Sequence, residues 1–140
     1  MRIFGHPLHT MLVHFPLAFW TLASFCDGLA LYGIMPAWQA ATVLTGLGVI
    51  IAAIAMVPGL VDFATLEPGA QKSGLLHMSL MGLAWFFYLL AFIFHIENGA
   101  IAQTPDITGI SFGMIGFLCM AVGGFYGGEL VYTHGAGQRK

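Results

Sequence analysis

The sequence predicts an all-α integral membrane protein, an antiparallel four-helix bundle with both termini on the cytoplasmic side. Three observations carry that reading. Of 140 residues, 59% are hydrophobic and only 7% charged, with a mean hydropathy of +0.88, so no polar exterior can be built around a core. Four apolar stretches, at roughly 11–34, 38–61, 74–96 and 108–131, each reach the ~20 residues that a helix needs to cross a bilayer. The four Lys and Arg residues, Arg2, Lys72, Arg139 and Lys140, all fall on one side of a four-span arrangement, which the positive-inside rule makes cytoplasmic.

These spans use nearly the whole chain, so residues 1–140 read as one membrane domain with no room for a separate soluble catalytic unit. A formal charge of -2 gives nothing for a polyanion to bind, which excludes nucleic acid as a partner. Cys26 and Cys119 lie inside apolar runs and read as small hydrophobes. No Cys-x-x-Cys-His is present for covalent haem attachment, and no Ser-His-Asp arrangement, phosphate loop or His-Glu-x-x-His appears. The first apolar run is too long for a signal peptide and has no small-residue cleavage site, so it reads as a retained span.

In chain order, the first span opens on Met-Arg-Ile-Phe-Gly-His-Pro-Leu-His-Thr-Met-Leu-Val-His-Phe-Pro, where His6, His9 and His14 crowd the start of the hydrocarbon. Histidines there are costly without partners and point to a ligand, a proton path or a metal. The inward face of this helix reads as His14, Ala18, Thr21, Phe25 and Gly28. The short connection from Gly33 to Pro36 predicts a tight hairpin into the second span, whose seam is Ala41, Thr45, Gly48, Ala52, Ala55 and Gly59, continued by Asp62. The third span carries His77, Met81, Ala84, Tyr88, Ala91 and His95 on one face. Asn98-Gly99 and Thr104-Pro105-Asp106 are turn signals before the fourth, whose stripe is Gly109, Gly113, Gly116, Met120, Gly123 and Gly127, with His134 one heptad beyond. Such small residues let helices approach closely in lipid, and they equally suit a flat macrocycle laid against a helix backbone.

The antiparallel topology puts His6, His9, His14, Asp62, His77, Glu129 and His134 at one membrane level. His14, His77 and His134, on the inward seams of three helices, are the expected ligands of a metal or haem iron, with His77 one axial ligand and His14 or His134 the other. His9 stands beside them, with Gly123 and Gly127 as the surface on which the cofactor rests. Asp62, Glu129 and His6 are expected behind the ligands, accepting imidazole N–H bonds or moving protons. His95, at the opposite end and followed by Glu97-Asn98-Gly99, reads as interfacial, with a pairing to Asp27 left open.

The pattern Gly5-His6-Pro7-Leu8-His9, Leu12-Val13-His14-Phe15-Pro16, Gly59-Leu60-Val61-Asp62, Leu76-His77 and Gly127-Gly128-Glu129-Leu130-Val131-Tyr132-Thr133-His134-Gly135 resembles the bacterial four-span family called domain of unknown function 2231 (DUF2231). The likeness covers nearly the whole chain. Thr10 stands where a proline is often found, which affects the local start of the first helix. The resemblance implies a small multi-pass protein of the bacterial inner (cytoplasmic) membrane, in a family sometimes found beside or fused to electron-transfer modules.

The expected function is that of a membrane b-type cytochrome or redox subunit rather than a stand-alone enzyme. Haem b would be held by inward imidazoles, with electrons exchanged with a quinone and a membrane or soluble redox partner. One alternative is a non-haem site for an iron, zinc or copper ion built from the same histidines with Asp62. Another is a non-catalytic structural or assembly subunit of a larger complex, or a homo-oligomer, whose histidines fix helix register.

Overall fold

Gly33 sets the first hairpin. Its φ of +81° lies in the left-handed region that a residue without Cβ enters at no steric cost, and Pro36 follows in the first helical turn, where its missing N–H is no loss. The computed structural model describes residues 2, 3 and 6–136. Within it the chain runs β1 (Arg2–Ile3), β2 (His6–Pro7), α1 (Leu8–Leu12), α2 (His14–Ala30), α3 (Met35–Ala64), α4 (Gln71–His95), β3 (Ile96–Glu97), β4 (Ala100–Ile101) and α5 (Ile107–Tyr132). A single 3-10 turn, Pro68–Ala70, leads into α4.

Four stretches, Leu8–Ala30, Met35–Ala64, Pro68–His95 and Ile107–Tyr132, are long and apolar enough to cross a membrane, which makes the protein an all-α membrane protein. The first span starts and ends earlier than its hydropathy suggests. It begins at Leu8 because Pro7 is extended and stands at the N-cap, and it stops at Ala30 because the chain must already turn toward Gly33. It is also broken at Val13, so α1 and α2 are separate helices. Asn98 (φ 51°) and Gly99 (φ 77°) form the tight turn of the β3–β4 hairpin, as that dipeptide predicts. Of the basic residues that set the expected orientation, Arg139 and Lys140 lie outside the described residues, as does Gly5 of the resemblance pattern.

The small-residue seams of α3 and α5 are buried as the spacing implies, and so is the Ala84–Tyr88–Ala91–His95 face of α4. On α2 the expected face is wrong. The buried residues are Pro16, Trp20, Ala23, Ser24, Asp27 and Ala30, whereas His14, Ala18, Thr21 and Phe25 are exposed. A carboxyl and an indole outweigh a run of small residues: Asp27 cannot face hydrocarbon, and hiding it fixes the rotation of the helix.

The two hairpins, α2–α3 and α4–α5, are built alike. Trp20 stacks on Tyr88, centroids 4.5 Å apart and planes 8° from parallel, and the two residues are 68 apart in sequence. The same shift relates His9 to His77 and Asp27 to His95, and each of these pairs also meets in space. Gly48 lies against Trp20 as Gly116 lies against Tyr88. Residues related by one constant shift that touch each other define an approximate two-fold axis along the bundle, the relation of a parallel internal repeat.

Candidate functional site

At one end of that axis His9 and His77 face each other, ring centroids 6.3 Å apart and planes at 82°. Each is set by its own hairpin in the same way. Pro7 starts the one-turn helix α1, which carries His9 onto α3, and His9 Nδ1 lies 2.8 Å from the Ala55 carbonyl. Pro58, inside α3 and lacking an N–H, loosens the helical bonding of that turn. His77, in the second turn of α4, places Nδ1 2.8 Å from the Gly123 carbonyl. Both bonds span 46 residues of sequence.

A carbonyl oxygen only accepts, so each Nδ1 must carry the hydrogen. In the neutral ring that leaves each Nε2 with a free lone pair. This is how a protein prepares a histidine for a metal: the outer N–H is tied to a backbone acceptor, which fixes tautomer and ring direction. The glycines complete the seat. A Cβ at Gly59 would fall 2.8 Å from the His9 ring, and one at Gly127 would fall 2.9 Å from the His77 ring. Only glycine lets the imidazoles lie flat on these helices.

Beside the pair is an apolar cavity of about 40 Å³, lined by Val13, Pro16, Trp20, Ala52, Ala55, Met56 and Met81 as well as the two histidines. It can hold an ion or a water molecule.

The expected ligand set meets only in part. Gly123 and Gly127 do touch His77, through a carbonyl and through close packing. His9, expected beside the ligands, is the residue opposite His77. His14 is exposed on the outer face of α2, and His134 is exposed beyond the last residue of α5. Neither lines the cavity, and among the described residues no three His, Cys, Asp or Glu side chains converge on one point, so the trio His14, His77 and His134 is not assembled. Helical phase is the cause for His14: with Asp27 turned inward, position 14 points out. His6 is exposed in β2, Asp62 is half-buried near the end of α3, and Glu129 is half-buried in a shallow cleft with Tyr132 and Thr133.

His95 was expected at the interface but is fully buried, with Trp38 packed on its ring at 4.1 Å between centroids and Asp27 3.6 Å from Nε2. The β3–β4 hairpin and the loop after it close over this end, as Trp38 Nε1–H donates to the Ala102 carbonyl at 2.8 Å. The signal missed in the sequence is the shift of 68, which pairs His95 with Asp27 as it pairs His77 with His9.

A family model described as "Predicted membrane protein (DUF2231)" matches residues 5–140. No curated protein and no solved structure matches the chain significantly.

Proposed function

The chain belongs to this DUF2231 family of predicted membrane proteins, and from that premise we propose that it is a membrane redox protein in which His9 and His77 would hold one haem b. The observation that carries the reading is the imidazole pair itself: Nδ1–H donated to Ala55 and Gly123, Nε2 free, centroids 6.3 Å apart. Two imidazoles that share one metal at about 2.0–2.1 Å per bond would have centroids at about this separation. A bare ion usually requires three or four protein ligands, whereas a macrocycle that fills four positions leaves only two for the protein.

When bound, haem supplies one-electron chemistry at a potential tuned by its ligands and surroundings. The chain's own contributions are then specific. The Ala55 and Gly123 carbonyls hold the tautomers and raise imidazole basicity, and Gly59 and Gly127 let the rings sit against the helices. Val13, Pro16, Trp20 and Ala52 form an apolar wall of the cavity. The imidazole pair fits the group, whereas the open volume of about 40 Å³ holds an ion and no macrocycle, so entry of a haem requires the two hairpins to part at this end. Electrons would pass to or from a quinone or another membrane redox partner.

The size of the cavity favours a second reading. A copper(I) ion in this cavity would be held by His9 and His77, and the thioethers of Met56 and Met81, which line the same space, are the soft donors that select this ion. Absorption spectra and metal analysis of detergent-purified protein after haem-replete expression separate the two. The haem reading requires a low-spin b-type reduced-minus-oxidised difference and about one iron per chain. A colourless protein holding copper selects the second, and one holding neither removes both.

A further inference from the structure

At the opposite end of the axis, Asp27 of α2 meets His95, the last residue of α4. The equivalent positions here carry a carboxyl and an imidazole rather than two imidazoles. Both are closed off, Asp27 at 1% exposure and His95 at 0%.

The Thr42 hydroxyl bonds set one arrangement of hydrogens around His95. Thr42 Oγ1–H donates to the Trp38 carbonyl at 3.0 Å. A hydroxyl has one hydrogen, so toward His95 Nδ1, 3.2 Å away, Thr42 can only accept. Nδ1 therefore carries a hydrogen, and Nε2 is a bare lone pair unless the ring is doubly protonated. Nε2 faces Asp27 Oδ1 at 3.6 Å, and neither atom has any hydrogen-bond partner. Two buried acceptors facing each other with no donor are expensive. A single proton between them removes the conflict.

We propose that Asp27 and His95 form a buried proton-binding site, which holds one proton between Oδ1 and Nε2 and relays it to and from the bundle end that carries Asp106. In the transfer the carboxyl O–H bond breaks as the Nε2 lone pair takes the proton, giving carboxylate and imidazolium; the reverse step restores the neutral pair. A small side-chain rotation, or one bridging water, closes the 3.6 Å gap. The titratable groups that bear on the pair are Cys26 on α2, Tyr88 on α4 and Asp106 before α5. The Tyr88 hydroxyl is engaged with Ser24 and the Trp20 carbonyl, and Cys26 is only partly buried. Asp106, outside the spans and only half-buried, acts on His95 by its charge alone, from the end of the bundle nearest to water. Thr42, Gly109 and Gly113, which pack on the pair, carry no charge. The site is independent of whatever the His9–His77 pair binds.

Infrared difference titration of the full chain in lipid nanodiscs, in H2O and D2O, tests this directly. The expected result is one deuterium-sensitive protonated-carboxyl band whose amplitude follows a one-proton titration. It disappears in Asp27→Asn and persists in His95→Gln with a midpoint moved by at least roughly tenfold in proton affinity. A carboxyl band that survives Asp27→Asn overturns the proposal, as does the lack of any titrating band while the chain stays folded. A band erased by sodium at fixed pH also overturns it, because a metal cation would then hold the site. Should Asp27→Asn fail to fold, His95→Gln decides alone: an unmoved midpoint rejects the pair.

Discussion

Trp20 lies flat on Tyr88 where the two hairpins cross, centroids 4.5 Å apart, and the Tyr88 hydroxyl donates to the backbone carbonyl of Trp20 itself at 3.2 Å. The same hydroxyl meets Ser24 Oγ at 2.8 Å, so one side chain joins ring stacking to two polar contacts in the middle of the bundle. Tyr88→Phe keeps the stack and strips the polar contacts, leaving the buried Ser24 hydroxyl with a lost partner. The expected cost is about 1–3 kcal/mol. Tyr88→Ala also opens a cavity and should cost about 3–5 kcal/mol. Thermal unfolding in detergent orders the variants, with Tyr88→Ala far below Tyr88→Phe.

Gly127 and Gly59 give the second prediction. In Gly127→Ala the new methyl group would lie 2.9 Å from His77 Cε1 and Nδ1, and the ring must retreat from the Gly123 carbonyl. Haem affinity should fall roughly 10–100-fold with the low-spin spectrum retained, because the ligand remains while its orientation loosens. Gly59→Ala should act in the same way through His9. Titration of haem into the apo-protein measures both.

His14 and His134 should be silent in the same assay. Both are exposed and neither lines the cavity, so His14→Ala and His134→Ala should leave spectrum and affinity unchanged. Loss of the spectrum in either would return the site to the three-helix arrangement that the sequence suggests.

Asp106 gives a pH prediction outside the membrane. Its carboxylate caps α5, accepting from the backbone N–H of Gly109 at 3.1 Å and Thr108 at 2.7 Å, and these bonds, Gly109 first, hold its pKa below the ordinary carboxylate range. A folded value below the unfolded one means that the cap stabilises fully above the unfolded pKa, near 3.9 for Asp, and is lost as pH falls through the folded value. Asp106→Ala should therefore cost about 1 kcal/mol at neutral pH and progressively less below about pH 4. Asp106→Asn, which caps without a charge, should show little pH dependence from this position.

Orientation is a separate prediction. Arg2 and Lys72 lie on the side of the His9–His77 pair, so reporter fusions at either terminus should report a cytoplasmic location. An active extracytoplasmic reporter at the C-terminus would move the imidazole pair to the other compartment.

Much of this architecture is legible in the chain because lipid leaves few choices. Span number follows from apolar length, and the seams of α3, α4 and α5 follow from small residues at helical spacing. Those seams already pointed His77 toward the interior and put Gly123 and Gly127 beside it. The partner of His77 was harder to read. Val13 breaks the first span, so His9 sits on its own helical turn and helical phase does not run through from α2. The true face of α2 is fixed by the need to hide Asp27, a tertiary demand rather than a local one. His95 looked interfacial because a polar turn follows it, yet that turn folds back and Trp38 covers the ring. Comparing the chain with itself at a shift of 68 would have exposed all three contacts: the identities His9/His77, Phe19/Phe87, Ala23/Ala91, Gly48/Gly116 and Gly59/Gly127 share that shift.

If His9 and His77 together bind one redox metal group, the reduced-minus-oxidised spectra of the single variants must depend on both. Wild-type protein, His14→Ala and His134→Ala should show the same low-spin signal, while His9→Ala and His77→Ala should each abolish it or convert it to high spin. A wild-type spectrum retained in either His9→Ala or His77→Ala would mean that the pair does not hold the group.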